Sequence, residues 1–394
     1  MAVLHFISLL LFALCFVTVA YTFFFSIAGH FYKRKTFSNN DKFKKIAVLI
    51  PSYKEDAVIV NSAVQALLQN YPSHFYDVYV IADSLQEDTI NDLKKLPIQL
   101  LEVAFEISTK AKALNEAFRR ITKSYDFAVI LDADNIMSQG FLEKINNAAV
   151  SGCYAIQGHR TAKNKNTQYA ILDAISEEAN NHIMRKGQVA VGLSSSVIGS
   201  GMAFSFLYLK QVMSEIEAVG GFDKELEMTL IADNHKIIYL DDAYVLDEKV
   251  QKSEVFANQR TRWVAAQFVY LKKYWLKGLL NLLIGRFDYA NKVMHYALVP
   301  KVILIGVLAI MGSLNLLFTN LLPGATAWFV LLLFYFFAYA IAIPRSYWNM
   351  GMIQAILSLP KTILVMFGAL LQIKGANKKF IHTPHSASFE KTTI

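Results

Sequence analysis

An uncharged apolar segment near the N-terminus constrains this chain more than any other feature. From Leu4 to Ser26 there is no Asp, Glu, Lys or Arg, and the only basic side chain is His5. Such a segment is long enough to cross a bilayer of about 30 Å as a helix. The basic residues follow the segment, whereas a cleaved signal peptide has them in front. We therefore predict a retained membrane anchor over residues 1–32, with Lys33 to Lys45 on the cytoplasmic side.

Two further apolar segments lie towards the C-terminus, Val302 to Phe318 and Ala327 to Ile343. The link between them is uncharged and contains Pro323 and Gly324, which favour a turn. This pattern predicts a transmembrane helical hairpin over residues 297–345, which leaves the cytoplasm and returns to it.

The last apolar segment, Met352 to Ile373, carries Pro360 and Lys361 near its middle. A charge at the bilayer centre costs about 2.5–3.5 kcal/mol on insertion scales. Residues 346–376 are therefore predicted to lie in the interface or to re-enter the membrane, and a third crossing after the globular domain is the alternative. Residues 377–394 are predicted to form a cytoplasmic tail.

Residues 263–296, just before the hairpin, mix large apolar side chains with Lys272, Lys273 and Lys277. Aromatic and basic residues together are typical of an amphipathic helix that lies in the membrane interface. An ordinary surface helix of the globular domain is the alternative, and the position beside the hairpin favours the interfacial helix.

Composition agrees with a globular part combined with membrane segments. The chain of 394 residues is 54% hydrophobic and only 18% charged, which excludes a disordered chain. Two cysteines, far apart, exclude a disulfide scaffold and give no zinc motif. The net charge of +8 comes from short clusters that border the apolar segments. We therefore expect the bilayer and a phosphorylated substrate as partners, and no nucleic acid.

Residues 33–262 are predicted to form one cytoplasmic domain. Strand-like and helix-like segments alternate there, which predicts an α/β fold with a mostly parallel sheet covered by helices. The predicted strands are Ile46–Pro51, Tyr76–Ser84, Ile98–Val103 and Asp126–Asp134, and the predicted helices are Asp56–Asn70 and Lys110–Thr122. Neither a GxGxxG nor a GxxxxGK[ST] loop follows a strand, which argues against a dinucleotide oxidoreductase and a P-loop NTPase.

Acidic residues stand at the ends of two predicted strands, where ligands bind in such sheets. Asp132 and Asp134 are one residue apart and could hold Mg²⁺, which takes one or two carboxylates together with substrate phosphates. Asp83, near the end of the predicted strand Tyr76–Ser84, could accept hydrogen bonds from a nucleobase. For Asp132 and Asp134 a turn cap at the strand end is the alternative, and for Asp83 a turn residue explains the position equally well.

Basic and aromatic residues supply candidate contacts for the rest of a substrate. Lys110, or its neighbour Lys112, could meet a diphosphate as a point charge, although exposed helix lysines are common. Near the end of the domain, the guanidinium of Arg262 suits a phosphate and the indole of Trp263 suits a sugar face. With Gln259, these residues could instead form a basic collar at the membrane.

Seven motifs in this order resemble the membrane-bound family 2 glycosyltransferases, the group of cellulose, chitin and hyaluronan synthases. They are Pro51-Ser-Tyr-Lys-Glu55, Asp83, Lys110-Ala-Lys-Ala-Leu-Asn115, Asp132-Ala-Asp134, Gly199-Ser-Gly-Met-Ala-Phe204, Gly221-Phe-Asp-Lys-Glu-Leu-Glu227 and Gln259-x-x-Arg262-Trp263. The resemblance spans residues 46–265. A C-terminal segment, Lys379 to His385, also resembles the aromatic-x-x-Thr-Pro segment of such enzymes.

The resemblance implies a GT-A fold and an inverting transfer from a nucleotide-diphosphate sugar, most simply a UDP-sugar. It implies that Asp83 holds the uracil side, that Asp132 lies by the diphosphate and that Asp134 binds Mg²⁺ or Mn²⁺. It further implies that Lys110 and Arg262 bind the donor. Acceptor contacts are implied for the segment Gly199 to Phe204, with Gly199 and Gly201, and for Gln259 and Trp263.

The base motif departs from the family, which has Glu-Asp where this chain has Lys224-Glu225. Aligning the following Leu-Glu pair puts Glu225 in the position of the base, with Asp223 and Glu227 as rivals. The predicted function is sugar transfer to a growing polysaccharide or glycan. Transfer of one sugar to a lipid acceptor such as a polyprenyl phosphate is the alternative, and a catalytically inactive membrane scaffold is a third hypothesis.

Overall fold

A computed structural model describes residues 2–38, 41–218, 220–318, 322–360, 362–364 and 368. These residues form two compact units. The sheet unit comprises the described residues of 33–166 and 193–250, and the helical unit comprises those of 1–32, 167–192 and 251–376. Segment 167–192 therefore belongs to the helical unit, although it lies inside the predicted domain 33–262 in sequence.

Within the described residues the sheet has eight strands. They are β1 (Ile46–Tyr53), β2 (Tyr76–Asp83), β3 (Gln99–Val103), β4 (Phe127–Ile130), β5 (Ile136–Met137), β6 (Ala155–Ala162), β7 (Met202–Ser205) and β8 (Ile237–Asp247).

The α-helices are α1 (Ala2–Ala28), α2 (Ile59–Leu67), α3 (Glu87–Lys94), α4 (Lys110–Arg120), α5 (Phe141–Val150), α6 (Gln168–Asn180), α7 (Gln188–Ala190), α8 (Phe206–Ser214), α9 (Phe222–Ala232), α10 (Ser253–Leu283), α11 (Phe287–Ala297), α12 (Lys301–Leu317), α13 (Ala325–Ala342) and α14 (Met350–Leu357). Short 3₁₀ turns cover Gly29–Phe31, Ser73–Phe75 and Arg345–Tyr347, and Asn181–Gly187 is π-helical.

The sheet is mixed, with strand order β3-β2-β1-β4-β7-β6-β8-β5. The half formed by β3, β2, β1 and β4 is parallel, as the alternation of strands and helices predicts. Strand β7 runs antiparallel to both β4 and β6, which introduces antiparallel pairs that the sequence pattern does not reveal. The α/β architecture with flanking helices is confirmed, and its antiparallel centre qualifies the prediction of a mostly parallel sheet.

The core of the sheet unit explains why the apolar segments become strands. Residues 46–50 of β1 are completely buried, because this strand lies between β2 and β4 and is covered on both faces. Such a strand is a continuous apolar run without alternation. Strand β4 is shorter than predicted and ends at Ile130, so that Asp132 and Asp134 lie in the loop after it.

The helical unit contains two helices that are long and apolar enough to cross a membrane, Val3–Phe31 and Ala325–Ala342. Helices α11 and α12 pass the same test only as a pair, and they are bent by 59° relative to each other. If that pair is one broken span, the described residues hold up to three spans. Part of the predicted interfacial segment 346–376, including Lys361, and the whole predicted tail 377–394 lie outside the described residues.

Helix α10 runs without a break from Ser253 to Leu283. The sequence pattern predicts an interfacial region from Trp263, but this residue lies inside α10. No proline interrupts the sequence between these ends, so the backbone has no reason to stop at residue 263. The second half of α10 exposes Trp275, Leu279 and Leu283 among its lysines, as the amphipathic pattern predicts.

The basic run after α1 is engaged in part within the protein. Arg34 donates two hydrogen bonds to the carboxylate of Asp241, at 2.6 and 3.1 Å. Lys44 Nζ lies 3.5 Å from Asp126 Oδ1. These contacts attach the segment before β1 to the rest of the sheet unit.

Candidate active site

Asp83 is fixed where β2 ends, at the same edge of the sheet as the end of β1. Its side chain is almost completely buried and accepts a hydrogen bond of 2.9 Å from Ser84 Oγ, while its carbonyl accepts one of 3.1 Å from Lys54 N. Lys54 and Ser84 both adopt positive φ angles, 56° and 57°. For residues other than glycine this conformation costs of order 1–3 kcal/mol and is concentrated at functional sites.

The loop after β4 is fastened to the glycine-rich segment before β7. Asp132 N donates to Ser200 Oγ at 2.9 Å, and Ser200 Oγ donates to Asn135 Oδ1 at 2.5 Å. On either side of Ser200, Gly199 and Gly201 have φ angles of 82° and 62°, which residues other than glycine rarely adopt. The two glycines therefore allow the backbone turn that brings Ser200 to the Asp132 loop.

Lys110 joins this loop from the first turn of α4. Its ammonium contacts a carboxylate oxygen of Asp132 and donates to the carbonyl of Gly199 at 2.8 Å. Lys112, the rival, donates instead to the carbonyl of Ile107 at 2.9 Å, on the exposed side of the helix. The structure therefore places Lys110, and not Lys112, beside Asp132.

Asp134 is buried, with 3% of its surface exposed, and accepts a hydrogen bond of 3.0 Å from Glu248 N. That bond draws the segment after β8 against the Asp132–Asn135 loop. Asp247 strengthens the contact, because its carboxylate accepts a hydrogen bond of 2.9 Å from Asn135 Nδ2 and one of 2.6 Å from Lys249 Nζ.

Arg160 of β6 completes the cluster. Its Nη1 atom lies 3.9 Å from an oxygen of Asp132 and 3.9 Å from an oxygen of Asp247. The cluster thus holds three carboxylates and three cations; they are Asp132, Asp134, Asp247, Lys110, Arg160 and Lys249. Sequence reasoning missed Arg160 and the 247–249 segment, since they follow no recognised motif and reach the site only through the order of the strands. Ser200 stands inside the Gly199 to Phe204 motif, but nothing in the sequence indicates that its hydroxyl bonds to the Asp132 loop.

A divalent cation fits the chemistry of this cluster. Asp132 and Asp134 offer carboxylate oxygens, the ligands that Mg²⁺ and Mn²⁺ prefer. Among the described residues no three His, Cys, Asp or Glu side chains are grouped tightly enough to hold a metal by themselves. Such a site suits a cation that shares its coordination between one or two carboxylates and the phosphates of a substrate.

Helix α9 carries the three candidate bases on two faces. Glu227 is buried and accepts a hydrogen bond of 3.1 Å from Val197 N, just before the glycine-rich segment. Asp223, four residues earlier and so on the same face, lies next to Gly199. Glu225 is two residues from each of them, about 200° around the helix at 3.6 residues per turn, and its side chain is partly exposed.

The remaining predicted residues, Gln259, Arg262 and Trp263, lie on α10 in the helical unit. Burial lowers the pKa of the Arg262 guanidinium. The guanidinium carbon of Arg260 lies 4.3 Å from the ring centre of Trp263, and Arg260 also pairs with Asp173. Arg260 therefore packs against the indole, which keeps 43% of its surface exposed.

Residues 44–266, more than half of the chain, match the family described as "Glycosyltransferase like family 2". The chain belongs to this family. It is a glycosyltransferase, an enzyme that uses a nucleotide-sugar donor, and the predicted family membership and enzyme class are confirmed.

Known proteins similar to this glycosyltransferase agree with that placement. Over 114 residues it is 30% identical to a glucans biosynthesis glucosyltransferase H from Rhodopseudomonas palustris. That match covers 26% of this chain and only 16% of the bacterial protein. A mannosyltransferase from Pyrobaculum calidifontis, solved with GDP-Man and Mn²⁺, has the same fold at 15% identity and a TM-score of 0.60. That alignment covers 93% of this chain and 99% of the mannosyltransferase, and it confirms the GT-A fold class.

Proposed function

We propose that this enzyme is an inverting membrane glycosyltransferase that moves a sugar from a nucleotide-diphosphate sugar to a growing polysaccharide or glycan. The observation that carries the proposal is a pair of contacts at the edge of the sheet where β4 ends. There the Lys110 ammonium contacts both the Asp132 carboxylate and the Gly199 carbonyl. There a diphosphate would meet the Lys110 ammonium, and Asp83 at the neighbouring strand end would hold the nucleobase.

Asp134 and Asp132 would hold Mg²⁺ or Mn²⁺, which when bound offsets the charge of the diphosphate. Glu225 would take the proton of the acceptor hydroxyl as its oxygen bonds to the anomeric carbon of the donor sugar. The bond from that carbon to the β-phosphate oxygen breaks, and its electron pair leaves with the nucleoside diphosphate. Attack on the face opposite the leaving group inverts the anomeric centre.

Asp223 is the second candidate for the base, because it lies next to Gly199 on the face of α9 that meets the glycine-rich segment. Glu227 is an unsuitable base, since its buried carboxylate already accepts the Val197 amide. For the acceptor we propose contacts with Gly199, Gly201, Gln259 and Trp263, and for the diphosphate a contact with Arg262.

The proposed setting is the inner, or plasma, membrane of a cell, with the sheet unit in the cytoplasm. The two helices that could span a membrane and the basic residues between Lys33 and Lys45 support it. The proposed division is an anchor over 1–32, a catalytic domain over 33–262, an interfacial region over 263–296, a hairpin over 297–345, a further membrane segment over 346–376 and a tail over 377–394.

Single-sugar transfer to a lipid acceptor is the second candidate function. The observation that favours it is the small number of candidate spans, two or at most three among the described residues. So few helices leave little material to enclose a channel for an emerging polymer.

One experiment tests the donor and the acceptor together. The purified protein, in nanodiscs with Mn²⁺, would be incubated with a panel of UDP- and GDP-sugars, and the release of UDP or GDP would be measured. We expect release from one donor class, and a product that grows beyond one sugar on an oligosaccharide acceptor. A single addition to a polyprenyl phosphate would favour the second function, and no release from any donor would contradict both.

A further inference from the structure

The position of Arg160 raises a question that the family motifs leave open. Its side chain is 11% exposed, and its guanidinium lies between Asp132 and Asp247. At 3.9 Å these are ion-pair contacts, longer than a hydrogen bond. Lys110 contacts the other oxygen of Asp132. Two cations therefore converge on one half-exposed carboxylate that the proposed function places beside the donor diphosphate.

A bulge in the sheet places Arg160 there. Gly158 of β6 pairs with Leu240 of β8, but the next residue, His159, pairs with Tyr244, so that residues 241–243 bulge out. A Cβ atom on Gly158 would lie 2.8 Å from the carbonyl of Ala243, which shows how closely the strands approach at the bulge. Bulges redirect the side chains that follow them and are frequent next to active sites.

The formal charges of the cluster bear on the role of Arg160. The negative charges of its three carboxylates equal the positive charges of its three cations. A donor diphosphate adds about two negative charges, which a divalent cation offsets, whereas the departing nucleoside diphosphate carries about three. When the bond to the sugar breaks, the β-phosphate gains negative charge. A further cation that turns towards it would then join Lys110 and Arg262, which the proposed function already gives to the diphosphate.

We propose that Arg160 binds the β-phosphate of the nucleoside diphosphate and stabilises it as a leaving group. This inference rests on the proposed function, because it needs a nucleotide diphosphate beside Asp132. A guanidinium suits the task better than an ammonium, since its planar fork can donate two parallel hydrogen bonds to phosphate oxygens. Because the Arg160 side chain is largely buried, such charge-assisted bonds are stronger than in water.

The test compares nucleotides that differ only in the β-phosphate. Binding of UDP and UMP, and of GDP and GMP, to the full-length protein with Mn²⁺ would be measured by calorimetry. Arg160→Met removes the charge and keeps a stem of similar length. We expect it to weaken binding of the diphosphate about 10- to 100-fold, the range for a charged hydrogen bond, and to leave binding of the monophosphate nearly unchanged.

Arg119→Met is the matched control, because Arg119 is exposed on α4 and its ion pair among the described residues is the local one with Glu116. It should change neither affinity. If Arg160→Met does not fold, Arg160→Lys keeps one positive charge and should still lose several-fold in diphosphate affinity alone. An equal loss for monophosphate and diphosphate, or no loss for either, would overturn the inference while leaving the proposed function intact. A wild-type protein that binds neither UDP nor GDP would reject both.

Discussion

At the scale of single residues, the base is the assignment that most needs an experiment. We expect Glu225→Gln to keep donor binding and to lower turnover about 10²- to 10⁴-fold, because a positioned proton acceptor contributes a factor of that size. The change keeps the volume of the side chain and removes only its basic oxygen. Release of the nucleotide and binding of the donor would be measured on the same preparation.

Asp223→Asn is the decisive comparison for that variant. If Asp223→Asn abolishes turnover and Glu225→Gln leaves it near the wild-type value, then Asp223 is the base, and its place beside Gly199 is the reason. Glu227 takes no part in this comparison, since loss of its bond to Val197 N would disturb the glycine-rich segment itself.

The cation is a second prediction at this scale. We expect turnover to stop in excess chelator and to return with Mn²⁺ or Mg²⁺, because the carboxylates of Asp132 and Asp134 suit such an ion. Asp134→Asn should raise the cation concentration needed for half-maximal activity. It keeps an oxygen that can accept the Glu248 amide, so a similar Tm is expected. Full activity without any divalent cation would contradict the assignment.

At the scale of elements, the apolar strands of the parallel half were predictable and the rest of the sheet was not. Strands β1 and β2 begin where expected, because their buried runs are bounded by polar residues. The antiparallel strand β7 has only four residues, too few for a period to show. The partners that the Asp132–Asn135 loop finds on β6 and at the end of β8 could not be predicted either, because strand order decides which distant segments meet.

Segment 181–187 shows an element whose form depends on packing. It is π-helical, a form that most often occurs as a short bulge at functional sites. Here Gly187 lies against the carbonyl of Phe25, where a Cβ atom would approach to 2.3 Å. His182 uses its ring Nε2 to bind the carbonyl of Ser26 at 2.8 Å. This segment thus attaches to the end of α1 by close backbone contact, which no sequence period reports.

His182 makes that attachment sensitive to pH. Burial, with His30 and Lys186 nearby, lowers the pKa of His182 to about 4 from an ordinary value of 6.5. Below pH 6.5 the unfolded chain therefore binds a proton that the folded chain does not, and stability falls as the pH decreases from 6.5 to 4. Above pH 6.5 the contribution is complete and constant.

The measurement is the Tm of the detergent-solubilised protein across that range. We expect His182→Gln, which can still donate a hydrogen bond to the Ser26 carbonyl, to show a smaller decrease in Tm between pH 6.5 and pH 4 than the wild type. Equal decreases in the two proteins would show that other groups cause the acid sensitivity.

At the scale of the whole molecule, the predicted topology can be tested by labelling. After replacement of Cys15 and Cys153, single cysteines would be introduced at Lys95, which is exposed in the sheet unit, and at Gly324, just before α13. In intact cells a membrane-impermeant maleimide should label the second and miss the first, because basic residues after a span favour the cytoplasmic side, where we propose that the sheet unit lies. The reverse pattern would overturn the topology, and lysed cells should label both.

The continuity of α10 has a mechanical consequence. With 31 residues it is about 46 Å long, and it carries Arg262 in its first third and the exposed Leu283 at its end. A helix without a break transmits a change of tilt along its whole length, so that a tilt imposed at its apolar end also moves the guanidinium of Arg262. If Arg262 contacts the donor diphosphate as proposed, lipid thickness and headgroup charge should affect catalysis, and turnover in thin and thick bilayers should differ even when every substrate is saturating.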